Sequence, residues 1–175
     1  MTENKIQDKE ETGLEVIPVL DEERLYTLGN KHQNIISFSG LSFQYPTCQR
    51  RALEGIDIDI PTGQMIVIMG ASGAGKSTLA NTLNGLIPCF IRGEFRGSVQ
   101  VGGESPQHKG VSGMAEIIGL VFQDFETQLF STRVELEIAF GMENRGIERA
   151  VMRDQVGKVI SMVGLDGNLY RKMPD

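Results

Sequence analysis

Gly70-Ala71-Ser72-Gly73-Ala74-Gly75-Lys76-Ser77-Thr78 fits the pattern G-x-x-x-x-G-K-[ST], a loop whose backbone N–H groups wrap around a phosphate chain. Each residue type serves that chemistry. Gly73 and Gly75 lack a Cβ, so the backbone can curl tightly and approach phosphate oxygens without steric cost. A helix that starts at the end of the loop adds unpaired N–H donors and a partial positive charge. Lys76 brings a point charge to the β- and γ-phosphates, and the Ser77 hydroxyl is the expected ligand for Mg²⁺. The spacing therefore predicts a nucleotide site over residues 70–78.

Such a loop needs a strand before it and a helix after it. Gln64-Met65-Ile66-Val67-Ile68-Met69 is short, apolar and partly β-branched, which predicts a buried strand. From Lys76 onward, Leu79, Ala80, Leu83 and Leu86 recur at helical spacing. Strand, glycine loop and helix follow in the required order. A glycine-rich turn with no ligand would need neither neighbour.

Further back, residues 1–34 differ from the rest. Acidic residues cluster at Glu10-Glu11 and Asp21-Glu22-Glu23 without periodicity, the composition of a loosely ordered acidic extension. From Ile35 the chain turns strand-like, with Leu41, Phe43 and Tyr45 alternating with polar or small residues until Pro46-Thr47. Ile56, Ile58 and Ile60 alternate with Asp57 and Asp59, the period of a half-solvated antiparallel strand. Pro61-Thr62-Gly63 has the turn chemistry to end it. A small antiparallel sheet is thus expected ahead of the phosphate loop. Beyond the loop's helix, the sequence predicts a turn-rich loop over 85–97, a short strand from Ser98 and a surface loop over 104–114. A strand over 117–122 is expected next. Past Thr132, Val134, Ile138 and Met142 share one helical face. Val151, Val156, Val159, Ile160 and Val163 mark a second helix that Gly164 can cap. Met162 and Met173 read as packing residues.

Composition narrows the function. At 175 residues and 40% hydrophobic content, the chain suits one ordinary domain with a core. No run approaches the length of a membrane span, and the polar start Met1-Thr2-Glu3-Asn4-Lys5 does not read as a signal peptide. Cys48, Cys89, His32 and His108 have no metal-ligand spacing. A net charge of −6 argues against a general nucleic-acid surface.

Several segments together resemble the ATP-binding subunit of an ABC transporter. Tyr45, in Leu41-Ser42-Phe43-Gln44-Tyr45-Pro46, falls where that family places the aromatic that stacks on adenine. Ala52-Leu53-Glu54-Gly55-Ile56, then Ile60-Pro61-Thr62-Gly63-Gln64, is similar to the family's lead-in to its phosphate loop. Gly97-Ser98-Val99-Gln100-Val101-Gly102-Gly103 resembles its strand after the loop's helix. Val121-Phe122-Gln123-Asp124 matches the glutamine loop, whose Gln reaches Mg²⁺ or water and senses the membrane partner. Residues 122–130 and Val134 to Asn144 resemble the energy-coupling-factor and cobalt-importer branch, which imports vitamins and transition-metal ions.

The resemblance implies an α/β P-loop NTPase fold: a truncated ABC-type nucleotide-binding domain with an N-terminal antiparallel β-subdomain, the N-terminal half of its nucleotide-binding core running over 35–121. A glutamine loop and partial helical subdomain follow over 122–175. It implies ATP and Mg²⁺ as cofactors, with Tyr45, residues 70–78 and Gln123 on the nucleotide. Ser77 and Gln123 would serve the metal, and Lys76 and Gln123 the hydrolysis. Its partners would be a second ATP-binding subunit, identical or not, and an integral membrane coupling subunit. No nucleic acid is expected, and the place would be the cytoplasmic face of the cell membrane. A soluble ABC ATPase on ribosomes or DNA shares the loop, Tyr45 and Gln123. A P-loop small-molecule kinase is the other alternative, but such kinases usually open with the loop's strand. The chain stops at Lys172-Met173-Pro174-Asp175, where the resemblance would place a Leu-Ser-Gly-Gly-Gln signature next, then the aspartate strand, catalytic glutamate and switch histidine. The expectation is an N-terminal fragment with unpaired apolar edges, marginal stability and negligible hydrolysis of its own.

Overall fold

The structure, a computed structural model, describes residues 34–165. The acidic extension expected over 1–34 therefore falls outside the described residues except for Asn34, and so does Met173. Two compact units divide the described chain after Gln128.

Residues 34–128 are built on an antiparallel sheet in the order β2-β1-β3. Its strands are β1 (Asn34–Gln44), β2 (Leu53–Pro61) and β3 (Glu94–Val101). The central strand is bulged. Phe38 opposes Ile58 and Leu41 opposes Ile56, so three steps on β1 match two on β2. The extra residue puts Phe38 on the same face as Leu41 and Phe43, although their numbers differ by an odd step. All three are buried. Across the bulge on the other side, β3 places Gly97 at φ +81, where a Cβ would overlap Ser39 O and the Gly40 carbonyl. Only glycine fits that approach.

Behind this face lie α1 (Lys76–Leu83), α2 (Leu86–Cys89) and α3 (Pro106–Met114). Leu79, Ile87 and Met114 join Phe38, Leu41, Phe43, Leu53, Val99 and Val101 in one core. Each such side chain withdrawn from water contributes about 1.5–3 kcal/mol before chain entropy is set against it. The expected alternation in β2 holds in part: Ile56 and Ile60 pack on the core and Asp57 and Asp59 are exposed, but Ile58, the middle isoleucine of the pattern, is exposed too.

Four sequence expectations need correction in this unit. The turn-rich stretch 85–97 contains α2, and β3 starts at Glu94, ahead of the expected Ser98. The stretch 104–114 is not a loop: Ser105-Pro106 starts α3, and Met114, fully buried, pins its end. Proline at the first helical position costs no hydrogen bond, and the break at Gly110 (φ 71) conceals the helix in the sequence pattern. Residues 64–69 and 117–122 were expected as strands, and neither pairs with a neighbour among the described residues. Met65, Val67 and Met69 stand 91%, 72% and 85% exposed. A strand apolar on both faces needs hydrogen-bonded strands beside it and cover on each face. Without them it has no ladder to join. Residues 117–118 instead continue α3 as a turn, both N–H groups donating to Met114 O at 2.9 Å.

The second unit, described over 129–165, contains α4 (Val134–Glu143) and α5 (Arg149–Met162), as the helical periodicity predicts. Glu137 accepts from the Phe130 and Ser131 N–H groups at 3.0 and 2.8 Å, tying the entry strand of chain to the first turns of α4. Phe130 stacks on Phe140 with ring centroids 5.2 Å apart. Gly164 does cap α5: at φ 71 its N–H donates to Ser161 O, and Leu165 N–H donates to Ile160 O, both at 3.0 Å. This paired bonding satisfies carbonyls that the helix end leaves open. Met162, read as a packing residue, is exposed; the buried methionine of α5 is Met152, on the face that also carries Ile160.

Candidate functional site

The head of β2 and the start of α1 are brought together by one glycine. Gly75 takes φ 91 at the N-cap of α1. A Cβ there would overlap Ala52 O and lie 3.2 Å from Leu53 Cδ2. Glycine is needed at this position for packing on the head of β2 as well as for phosphate approach. No side chain caps α1, and its first turn carries no acid. Its N-terminal N–H groups and their partial positive charge are therefore left to an anion.

Lys76 curls back over the loop. Its Nζ donates to Gly70 O at 2.7 Å and to Ala71 O at 2.9 Å. Two carbonyls thus hold the ammonium at the loop's mouth, within easy rearrangement of a phosphate chain. Thr78 is buried, and its Oγ1 and the Tyr45 hydroxyl are 3.0 Å apart. Phe43 meets the Tyr45 ring edge-on, with centroids 4.9 Å apart and planes at 83°. An edge-to-face pair and a hydroxyl bond fix where that ring sits.

A cavity of about 650 Å³ joins these parts. Tyr45, residues 72–78 and Gln123 all line it. Gly70 and Ala71 do not line it; they act on it through Lys76. The volume is in the range of small-molecule and cofactor sites. Gln123 lies in a loop braced from behind by Gln128, the last residue of a 3-10 turn (Phe125–Gln128). Phe122 N–H donates to Gln128 Oε1 at 2.8 Å, and Gln128 Nε2 donates to Leu120 O at 3.2 Å. Thr127 Oγ1 closes the turn on Asp124 O at 2.8 Å.

Sequence reasoning missed one wall. Cys48, Arg50, Arg51 and Ala52, in the loop from β1 to β2, also line the cavity. Their signal was two adjacent arginines in an acidic chain, just after the aromatic that ends a strand. No carboxylate is among the lining residues, so the cavity is cationic inside a chain of net charge −6. Mg²⁺ fits this donor set. It holds most of its waters and takes one or two protein oxygens plus phosphate oxygens, and Ser77 and Gln123 offer a hydroxyl and an amide carbonyl on one cavity. Among the described residues no cluster of three or more His, Cys, Asp or Glu competes for a cation.

The sequence profile described as ABC transporter matches residues 53–175. The chain belongs to the ABC transporter family. A protein of Caldanaerobacter subterraneus subsp. tengcongensis, named as an ABC transporter ATP-binding protein, is 50% identical over 142 residues, covering 81% of this chain and 24% of its own length. A similarly named protein of Pyrococcus horikoshii is 42% identical over 132 residues, with 75% and 46% covered. Among solved structures, CbiO1 of Clostridium perfringens, part of the ABC transporter complex CbiONQ, superposes with a TM-score of 0.66 at 29% identity. That match covers 81% of this chain and 54% of CbiO1. The chain thus spans between about a quarter and about half of the length of these relatives. The fold is accordingly part of an ABC-type nucleotide-binding domain, with an antiparallel sheet, phosphate loop and helices, and the family is one of ATPases.

Proposed function

We propose that this chain supplies the nucleotide cradle of an ATP-driven importer, of the branch that takes up vitamins or transition-metal ions. The observation that carries the reading is the single cavity bounded by Tyr45, residues 72–78 and Gln123. Adenine stacks on Tyr45, the phosphates lie along the loop and the N-terminus of α1, and Lys76 leaves Gly70 O and Ala71 O to meet the β- and γ-phosphates. Ser77 and Gln123 would hold the Mg²⁺, which when bound would neutralise phosphate charge. Gln123, on its braced loop, orients the attacking water and links the nucleotide to whatever docks beside the loop. Division of labour follows residues 35–121 for nucleotide and 122–175 for coupling.

Import comes from the likeness of 122–130 and 134–144 to the cobalt-importer branch, and from the CbiONQ membership of CbiO1. The partners are a second ATP-binding subunit and an integral membrane coupling subunit, with the assembly on the cytoplasmic face of the membrane. This reading makes the chain a peripheral component; among the described residues no helix is long and apolar enough to cross a membrane. The test is affinity capture of the tagged full-length protein from detergent-solubilised membranes. Stoichiometric recovery of an integral membrane protein, released by none of the salt washes that strip ribosomes, is the expected result. Recovery of ribosomes or DNA without membrane protein would overturn it.

A further inference from the structure

The loop from β1 to β2 carries two arginines into the cavity that phosphate-loop chemistry does not use. Arg50 and Arg51 both line it, yet their charges are in different states. Arg51 Nη1 donates to Glu54 Oε1 at 3.1 Å, so its charge is already answered. Arg50 makes no ion pair or hydrogen bond among the described residues. Arg50 is exposed on a cavity wall that holds no carboxylate, so its donors are open to a ligand.

Its position along the cavity follows from its neighbours in the chain. The loop leaves Tyr45, whose hydroxyl meets Thr78 Oγ1, and returns at Ala52, whose carbonyl backs onto Gly75. Arg50, exposed on that loop, lines the same cavity as Tyr45 and the first residues of α1. Lys76 Nζ, held by Gly70 O and Ala71 O, marks the other end of the phosphate loop. We propose that Arg50 is a further nucleotide-contacting residue, its guanidinium donating to the phosphate next to the ribose. A planar fork of donors matches two oxygens of one phosphate, which an ammonium cannot do. The ligand class is a nucleoside diphosphate or triphosphate, and the inference rests on the nucleotide reading of the cavity.

Competition titrations on the full 175-residue chain with ATP and with ADP in Mg²⁺, against a fluorescent ADP, test it. Arg50→Ala should weaken both nucleotides by the same factor, about tenfold for a lost charge-assisted contact, because both carry that phosphate. Arg50→Lys should recover part of the loss, and Arg51→Ala should cost less than about threefold because Glu54 already engages it. Lys76→Ala serves as the reference, and thermal melts of each variant check the fold. Wild-type affinity in Arg50→Ala alongside weakened binding in Lys76→Ala overturns the inference and leaves the cavity reading standing. Loss for ATP alone overturns the placement at the ribose-side phosphate. Unchanged binding in both variants overturns the cavity reading, and the inference with it.

Discussion

Two stretches of the first unit are comparably apolar and end up oppositely placed. In β1, Leu41 and Phe43 are fully buried between two hydrogen-bonded neighbours and three helices. In residues 65–69, five consecutive apolar side chains stand in solvent. Hydrophobicity is therefore not what separates them; the supply of partners is. All three strands of the antiparallel sheet lie within residues 34–101, so each finds its hydrogen-bonded neighbour inside this unit. A doubly covered strand of parallel type depends on strands from elsewhere. The phosphate loop sits at the seam, and it keeps its form because Gly75 packs on Ala52 and Tyr45 bonds Thr78, both partners flanking the β1–β2 connection of the self-sufficient sheet.

The contrast can be broken most forcefully in the core. Phe43→Ala should lower unfolding free energy by about 3–5 kcal/mol, whereas Val67→Thr should stay within about 0.5 kcal/mol; urea midpoints measure both. Equal losses would mean that 64–69 is buried in solution. Gly75→Ala tests the seam. The left-handed backbone and the clash with Ala52 O should cost about 1–3 kcal/mol, and nucleotide affinity should fall with it, read by melting and titration together. A smaller effect is expected for Tyr45→Phe, which removes the Thr78 bond and spares the ring: about 0.5–1.5 kcal/mol of stability with ATP affinity nearly unchanged. Tyr45→Ala should weaken ATP as well, and equal affinities for the two variants would remove the ring from the nucleotide site. Finest of all is amide exchange. Residues 65–69 should exchange at close to unprotected rates, and residues 41–43 only with global unfolding. Gln128→Ala should speed exchange at Phe122 and leave the sheet untouched.

Much of this arrangement was legible in the sequence because it rests on local rules. The glycine-lysine spacing of 70–78, the Ile-Asp alternation of β2, the helical faces of α4 and α5 and the Gly164 cap all depend on near neighbours. The misses have a common cause in tertiary context. Residues 64–69 carry the pattern of a strand, but pattern cannot supply a partner. The bulge at Ser39-Gly40 changes which residues share a face without altering composition. α3 was hidden by Gly110 and by the polar residues around it, although Ser105-Pro106 was there to mark its start. Arg50 and Arg51 belong to no local motif, and nothing in their immediate sequence says that the chain after them, at Ala52, packs against Gly75.

The central claim is that Tyr45, the 70–78 loop and Gln123 bound a nucleotide site. Equilibrium titration of the chain with ATP and Mg²⁺, wild type against Lys76→Ala, tests it most directly. The account predicts saturable one-to-one binding that weakens at least about tenfold in the variant, as expected when a charge-assisted phosphate contact is lost. Binding of equal strength in the two proteins, or none in the wild type, would contradict it.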